Sequence, residues 1–288
     1  MELNSDISTA PPCDASTVVM LRDTPHGLEV FLVKRHGLSD VLGGAYVFPG
    51  GKLDASDSLL NPLTHLDQDP TQLHAALGEP GIDVSTATGL YVAALREAFE
   101  ESRVLFSHDR ASARAALLQD TANPFNAMLA ELQVRLQTRH VLPWSRWITP
   151  RVSLVSNKRF DTRFFVAAVP HEQEATHDNH EATESIWLPP RVALEQYWNH
   201  QIELAPPQIM SLAHLARHAS VASVMTGARA TTPPLILPET FAEGGTRVLC
   251  FPGDPAHSVA QRALPGVSRL LYINKRFEPV DGFEALFA

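Results

Sequence analysis

Three glutamates within five residues are the first chemistry this sequence offers. Arg96-Glu97-Ala98-Phe99-Glu100-Glu101 lies in a run, Leu90 to Leu105, whose apolar spacing predicts a helix. On a helix, residues three and four apart share a face. Glu97, Glu100 and Glu101 therefore stand together, with Val92, Leu95 and Phe99 on the opposite side. Carboxylates held that close repel one another and call for positive charge, either Arg96 or a bound cation. Their oxygens are the ligands that hard cations such as Mg2+ and Mn2+ prefer. An acidic pair alone would more simply be a solvated helix face. A second stretch upstream, Phe48-Pro49-Gly50-Gly51-Lys52, shifts that balance. Paired glycines after a short strand are sufficient for a tight turn, and they also let backbone approach another group closely.

Other charged residues are candidates for substrate. Lys34 and Arg35 end a β-rich run, and Lys52 follows the glycines; all three could meet phosphate. Lys158, Arg159 and Arg163 are further basic candidates. Glu181 and Glu184 precede the apolar run Ile186-Trp187-Leu188. His177-Asp178-Asn179-His180-Glu181 looks like a metal cluster but has no matching partner group. His214 and His218 are spaced four apart, and no Glu follows His214, so the metalloprotease pattern is absent.

The elements that must position these residues follow from the same reading. Thr17 to Leu21 and Leu28 to Arg35 read as a hairpin joined by turn residues, and Ala45 to Phe48 as a short strand. Residues 52 to about 85 are polar and Pro-rich, with one short helix at Thr71 to Leu77. Ser85 or Thr86 is the expected N-cap of the acidic helix. Ser112 to Gln119 and Phe125 to Gln137 read as helical. Strands are expected at Val152 to Val155, Phe160 to Val169 and Ile186 to Leu188, with a charged loop from His171 to Glu184. Arg191 to Tyr197 and Gln208 to Ala219 read as helices, the second opened by Pro207. Short strands follow around Leu235 to Leu237, Thr246 to Phe251 and Arg269 to Ile273.

A chain of 288 residues can bury a sizeable core. Its formal net charge of −9 argues against nucleic-acid binding. Two distant cysteines imply no disulfide framework, and a reducing cytoplasm is the expected compartment. No apolar run reaches the roughly 18 residues that a membrane span needs, and the polar start of the chain does not resemble a secretory signal.

Taken together, Gly51, Asp57 and Arg96 to Glu101 resemble the Nudix box, in which a Gly and a Glu precede Arg-Glu-apolar-x-Glu-Glu-x-Gly. Phe48 to Lys52 is also typical of Nudix enzymes. Three departures stand out. Asp57 replaces the first Glu, Arg103 stands where the family has Gly, and about thirty extra residues separate Asp57 from Arg96. A box interrupted in this way resembles the acyl-CoA diphosphatase branch. The resemblance implies an α/β fold with a mixed sheet between helices. It covers a Nudix domain at 15–200 with an insertion at about 58–88, while 1–14 read as a flexible tail and 201–288 as a C-terminal extension. It implies that the Gly50 carbonyl joins Glu97, Glu100 and Glu101 in holding Mg2+ or Mn2+, and that Arg96 orients Glu97. The general base is then Glu97 or a glutamate outside the box, Glu184 or Glu181. The implied reaction is hydrolysis of a small-molecule diphosphate, CoA or acyl-CoA first, with ADP-ribose or NADH as the alternative. A homodimer is compatible with the resemblance. Asp57 and Arg103 also motivate a different class, a Nudix-fold binding module that has lost catalysis.

Overall fold

A computed structural model of the chain describes residues 10–37, 42–107, 124–152, 158–177 and 182–288. The predicted hairpin is present as β1 (Cys13–Thr24) and β2 (Gly27–Arg35), in antiparallel register with Thr24 opposite Gly27. Gly27 takes φ +112° at the turn, a conformation that glycine adopts without strain. Along β1, Val18, Val19, Met20 and Leu21 are all fully buried. Successive strand side chains point to opposite faces, so these four enter two different cores. Val19 and Leu21 join Leu32, Leu194 and Ile209 on one face. Val18 and Met20 join Phe31, Leu90 and Leu95 on the other. A strand buried on both faces reads as a continuous apolar run, which is what Val18 to Leu21 is.

The main sheet runs β3 (Tyr46–Val47), β2, β1, β6 (Phe160–Ala168), β5 (Val141–Ile148), β8 (Leu235–Ile236). β4 (Gly50–Lys52) also pairs with β1, and β7 (Ala182–Leu188) with β2. β1–β6 and β5–β8 are parallel and the other pairings antiparallel, so the sheet is mixed. Four further strands, β9 (Glu239–Glu243), β10 (Thr246–Cys250), β11 (Arg269–Ile273) and β12 (Arg276–Pro279), form an antiparallel sheet in the order β12-β11-β10-β9. Phe251, Leu270 and Phe277 from this part of the chain lie in the same core cluster as Val19.

Among the described residues the helices are α1 (Pro62–His65), α2 (Pro70–Leu77), α3 (Val84–Ser102), α4 (Phe125–Leu132), α5 (Pro190–Trp198), α6 (Pro206–Leu215) and α7 (Val221–Ala230). Several differ from the sequence expectation. The acidic helix α3 starts earlier than Leu90 because Asp83, not Ser85 or Thr86, caps it, its carboxylate accepting from the Thr86 amide at 2.7 Å. It stops at Ser102 rather than Leu105, where Arg103 turns left-handed at φ 61°. The stretch expected to be irregular holds a 3-10 turn at Asp57–Leu59 and α1 as well as α2. Asn61 and Asp69 cap those two helices, each followed by Pro. α4 ends at Leu132, short of Gln137, because Gln133 is left-handed. α6 ends at Leu215 rather than Ala219, and α7 follows it. Glu184 lies in β7, not in a charged loop. The expected helix at Ser112 to Gln119 and most of the expected strand at Val152 to Val155 fall outside the described residues. No described helix is long and apolar enough to cross a membrane.

Candidate active site

The two stretches singled out in the sequence meet where α3 crosses β4. Gly50 and Gly51 are held in line by pairing with Thr17 and Ser16 of β1, and the Pro49 carbonyl accepts from the Val18 amide at 2.9 Å. Across from them, Glu101 Oε2 accepts from the Gly50 amide at 3.1 Å. A Cβ on Gly51 would stand 2.2 Å from Glu97 Oε1. A glycine is therefore required here by the carboxylate that lies against it. Gly50 is constrained more rigidly, since its Cβ would stand 2.5 Å from the Ser16 carbonyl oxygen, a backbone atom.

Arg96 organises the carboxylates. Its Nε and Nη2 donate to the two oxygens of Asp57 at 2.9 and 3.0 Å, and Nη2 also donates to the Lys52 carbonyl at 3.0 Å. Its Nη1 donates to Glu97 Oε1 at 2.7 Å and Glu100 Oε2 at 2.9 Å. Burial works against the guanidinium charge, but Asp57, Glu97 and Glu100 more than offset it and raise its pKa. The Glu100 pKa is raised as well, chiefly by burial and also by the charges of Asp57 and Asp54, despite the pull of Arg96. The acidic side of α3 is thus only in part a solvated face, with Glu100 exposed and the Glu97 side chain largely covered. Glu101 is 5% exposed.

Glu97 and Glu100 open onto a cavity of about 810 Å3. Gly50, Gly51, Lys52, Asp54, Arg96 and Arg35 share its polar end. Arg35 Nε is buried there without a hydrogen-bond partner. Lys158 also lines the cavity, while Arg163 donates to Glu79 at 3.0 and 2.7 Å and so ties the inserted segment to the sheet. Arg159 donates to the Thr149 carbonyl. Lys34 and Glu184 sit opposite each other on β2 and β7 and form an ion pair at 3.4 Å. Neither lines the cavity. Burial and a hydrogen bond to Glu184 push the Tyr46 hydroxyl up to about 12. His177 shares a hydrogen bond with Ser185 at 3.0 Å, and the rest of its cluster, Glu181 included, lies outside the described residues. His214 and His218 pack against Trp144.

Sequence reading missed the apolar lining of the cavity, to which Trp147, Phe164, Pro206, Leu249 and Phe277 contribute. These residues belong to five different elements or element ends, and no local pattern links them.

The donors present suit a hard divalent cation, although among the described residues no three carboxylate, imidazole or thiolate groups are arranged to hold one. Glu101 is turned to the Gly50 amide, and Glu97 and Glu100 meet at Arg96. The two findings agree physically. Mg2+ is commonly bound by one or two carboxylates together with water and substrate phosphate rather than by a complete protein cage. Glu97 and Glu100 at the cavity surface provide such a partial set.

A family model described as the NUDT19 Nudix domain matches residues 6–215. The chain is 27% identical over 231 residues to the Xenopus laevis protein named acyl-coenzyme A diphosphatase NUDT19, covering 67% of this chain and 61% of that one. It is 26% identical over 257 residues to the Homo sapiens protein of the same name, covering 75% and 65%. The chain therefore spans under two thirds of the length of these curated relatives. A crystal structure of a NUDIX hydrolase from Alicyclobacillus acidocaldarius matches with a TM-score of 0.62 at 23% identity, over 76% of this chain and 97% of that one, and shares the fold. With the family match spanning most of the chain, and Arg96 to Glu101 placed against Gly50 and Gly51, the chain belongs to the Nudix hydrolase family.

Proposed function

We propose that this protein hydrolyses the diphosphate bond of CoA or acyl-CoA, using Mg2+ or Mn2+. The observation that carries this reading is one cavity of about 810 Å3 whose lining joins Glu97, Glu100 and the Gly50-Gly51 backbone to the apolar side chains of Trp147, Phe164 and Phe277. The names of the relatives support the substrate. Nudix hydrolases generally need divalent metal ions. Glu97 and Glu100 would hold the metal with the Gly50 carbonyl, and Glu101 would join them by turning away from the Gly50 amide. When bound, the metal would neutralise the diphosphate oxygens and lower the pKa of the attacking water.

The chain's own groups supply the rest. Arg96, fixed by Asp57, holds Glu97 in place against Gly51. Glu97 lines the cavity and Glu184 does not, which supports Glu97 as the base that takes the water proton. The water oxygen bonds to one phosphorus as the bond from that phosphorus to the bridging oxygen breaks. The departing phosphate leaves as a phosphomonoester. Arg35 and Lys52 offset its charge, and the buried free Nε of Arg35 is a donor in need of an acceptor. The products from CoA are 3′,5′-ADP and 4′-phosphopantetheine.

The two departures that motivate a lapsed binding module disturb little. Asp57 completes the pairing to Arg96, and Arg103 still closes the helix in the left-handed conformation. The test is incubation with Mg2+ or Mn2+ and a panel of CoA, acetyl-CoA, ADP-ribose, NADH and diadenosine polyphosphates, read by liquid chromatography. Release of 3′,5′-ADP from CoA is expected. Cleavage of another panel member alone would keep the chemistry and discard CoA, and metal binding without any turnover would favour the binding module.

A further inference from the structure

Two threonine hydroxyls on the floor of the cavity have no hydrogen-bond partner among the described residues. The parallel pairing of β1 with β6 sets Ala15 opposite Thr162 and Thr17 opposite Phe164. Side chains two apart on a strand share a face, and all four of these residues line the cavity. Neither the Thr17 nor the Thr162 hydroxyl takes part in a hydrogen bond within the described residues. Both residues are half-buried, and neither oxygen is closed off by protein. A hydroxyl open on a cavity surface is paired by water or by whatever displaces that water.

Thr17 differs from Thr162 in its neighbour. It pairs directly with Gly50 across β1 and β4, and a Cβ on Gly50 would stand 2.5 Å from Thr17 Oγ1. The hydroxyl therefore lies against Gly50, whose carbonyl is a proposed metal ligand, in the cavity that Glu97 and Glu100 also line. A metal held there brings diphosphate oxygens with it, and carboxylates alone would repel them. A threonine hydroxyl is neutral and can donate, and an O–H donated to an anionic oxygen makes a short, strong hydrogen bond.

We infer that Thr17 is a substrate-contacting residue whose Oγ1 hydroxyl donates to a phosphate oxygen of the diphosphate beside Gly50. This rests on the diphosphate part of the proposed function and not on CoA, because the contact is to the group that every diphosphate substrate shares. It adds a neutral donor to the cations Arg35, Lys52 and Lys158 that line the same cavity. Strand pairing on both sides fixes the position of the hydroxyl, with β6 along Cys13 to Leu21 and β4 along Ala15 to Thr17. Thr162 lies one strand further from Gly50, since β4 and β6 flank β1 on opposite sides.

The variants that test this are Thr17→Val, Thr17→Ser and Thr162→Val. Valine keeps the branched shape and removes no hydrogen bond of the described residues, so Thr17→Val folds, as melting curves would verify. The binding probe is α,β-methylene-ADP with Mg2+, a diphosphate whose bridging carbon resists hydrolysis, titrated into the full chain by calorimetry. Thr17→Val should weaken its binding about tenfold and lower kcat/KM by a similar factor on whichever panel member the wild type cleaves. Thr17→Ser should restore most of both, and Thr162→Val should leave both near wild type. Unchanged binding in Thr17→Val, no rescue by serine, or an equal loss in Thr162→Val would overturn the inference, as would a wild type that does not bind the probe. A wild type that cleaves ADP-ribose and not CoA would remove the CoA reading and leave Thr17 tested on ADP-ribose. One that binds the probe without any turnover would remove the hydrolase reading, while the titration would still decide the contact.

Discussion

Asp57 and Arg96 stand 39 positions apart in the chain and meet as a two-point ion pair, with Nε to Oδ1 at 2.9 Å and Nη2 to Oδ2 at 3.0 Å. Asp57 is 1% exposed, and its Oδ2 also accepts from the Asp54 amide at 2.9 Å. Removing one partner of a buried pair strands the other charge, which costs about 3–5 kcal/mol. Arg96 keeps Glu97, Glu100 and the Lys52 carbonyl, so Asp57→Ala should lower stability by less than that in denaturant unfolding and reduce turnover, because Arg96 loses the anchor that orients it toward Glu97 and Glu100. Asp57→Glu should retain most activity if the segment after Lys52 can shift to take the longer side chain. An Asp57→Ala protein with wild-type stability would show that Arg96 is anchored by its other contacts.

The glycine pair separates activity from stability. The three atoms nearest a Cβ at Gly51 all belong to the carboxylate of Glu97, the movable end of a flexible side chain. Gly51→Ala should fold normally and lose turnover as Glu97 is displaced. A Cβ at Gly50 meets the Ser16 carbonyl oxygen at 2.5 Å and Thr17 Cα at 2.8 Å. Backbone cannot yield without disturbing the β1–β4 pairing, so Gly50→Ala should unfold at lower denaturant. Thermal melts beside initial rates would check both, and equal effects at the two sites would refute the distinction.

Charge, rather than shape, is the expected contribution of Glu100 and Glu101. A glutamine at 100 can still accept from Arg96 Nη1, and one at 101 can still accept from the Gly50 amide. Glu100→Gln and Glu101→Gln should therefore keep near wild-type melting while turnover falls by at least roughly 10²–10³-fold, the scale of a lost electrostatic contact to a transition state. Near wild-type turnover in both variants would place the metal elsewhere.

How far this site was legible follows from how local each signal is. The carboxylates of α3 and the glycines of β4 were readable because helix spacing and a Gly-Gly pair are local patterns. The cap at Asp83 was missed because Ser85 and Thr86 compete for the same role, and tertiary packing carries the helix back to Val84. Glu184 read as loop because Thr183-Glu184-Ser185 is polar, yet pairing with β2 makes it strand, as sheet context often overrides propensity. Pro206 and Phe277 carry no local mark of function. They are joined to Glu97 only by the packing of α6 and β12 around one cavity.

Arg103 offers a stabilising change. It holds φ 61° at the end of α3, a left-handed conformation that disfavours a Cβ. Its amide still closes the helix by donating to the Phe99 carbonyl at 2.8 Å. Arg103→Gly keeps that bond and relieves the strain, offset in part by the greater freedom of glycine in the unfolded chain. A gain of about 0.5–1 kcal/mol is expected in denaturant unfolding, with turnover retained. A loss of stability would mean that the Arg103 side chain contributes more than its backbone strain removes.

The stability of the fold should also report on His214. Its ring lies 4.4 Å from that of Trp144, centroid to centroid. Burial, with smaller contributions from His218 and Arg217, pushes its pKa down from 6.5 to about 4. Between those values the unfolded chain takes up a proton that the folded chain does not, so lowering the pH favours unfolding. The contribution of neutral His214 is complete above pH 6.5, erodes as the pH falls, and stops changing below about 4, where the folded state is protonated too. Asp254, held down to about 2 chiefly by Arg269 against the effect of burial, acts in a lower window, beneath its ordinary 3.8. Melting temperature should therefore fall between pH 6.5 and 4 in the wild type, and His214→Phe, which keeps the ring against Trp144, should flatten that fall. His218 shifts in the same direction and should leave a smaller residual slope. An unchanged slope in His214→Phe would assign the acid sensitivity to other groups.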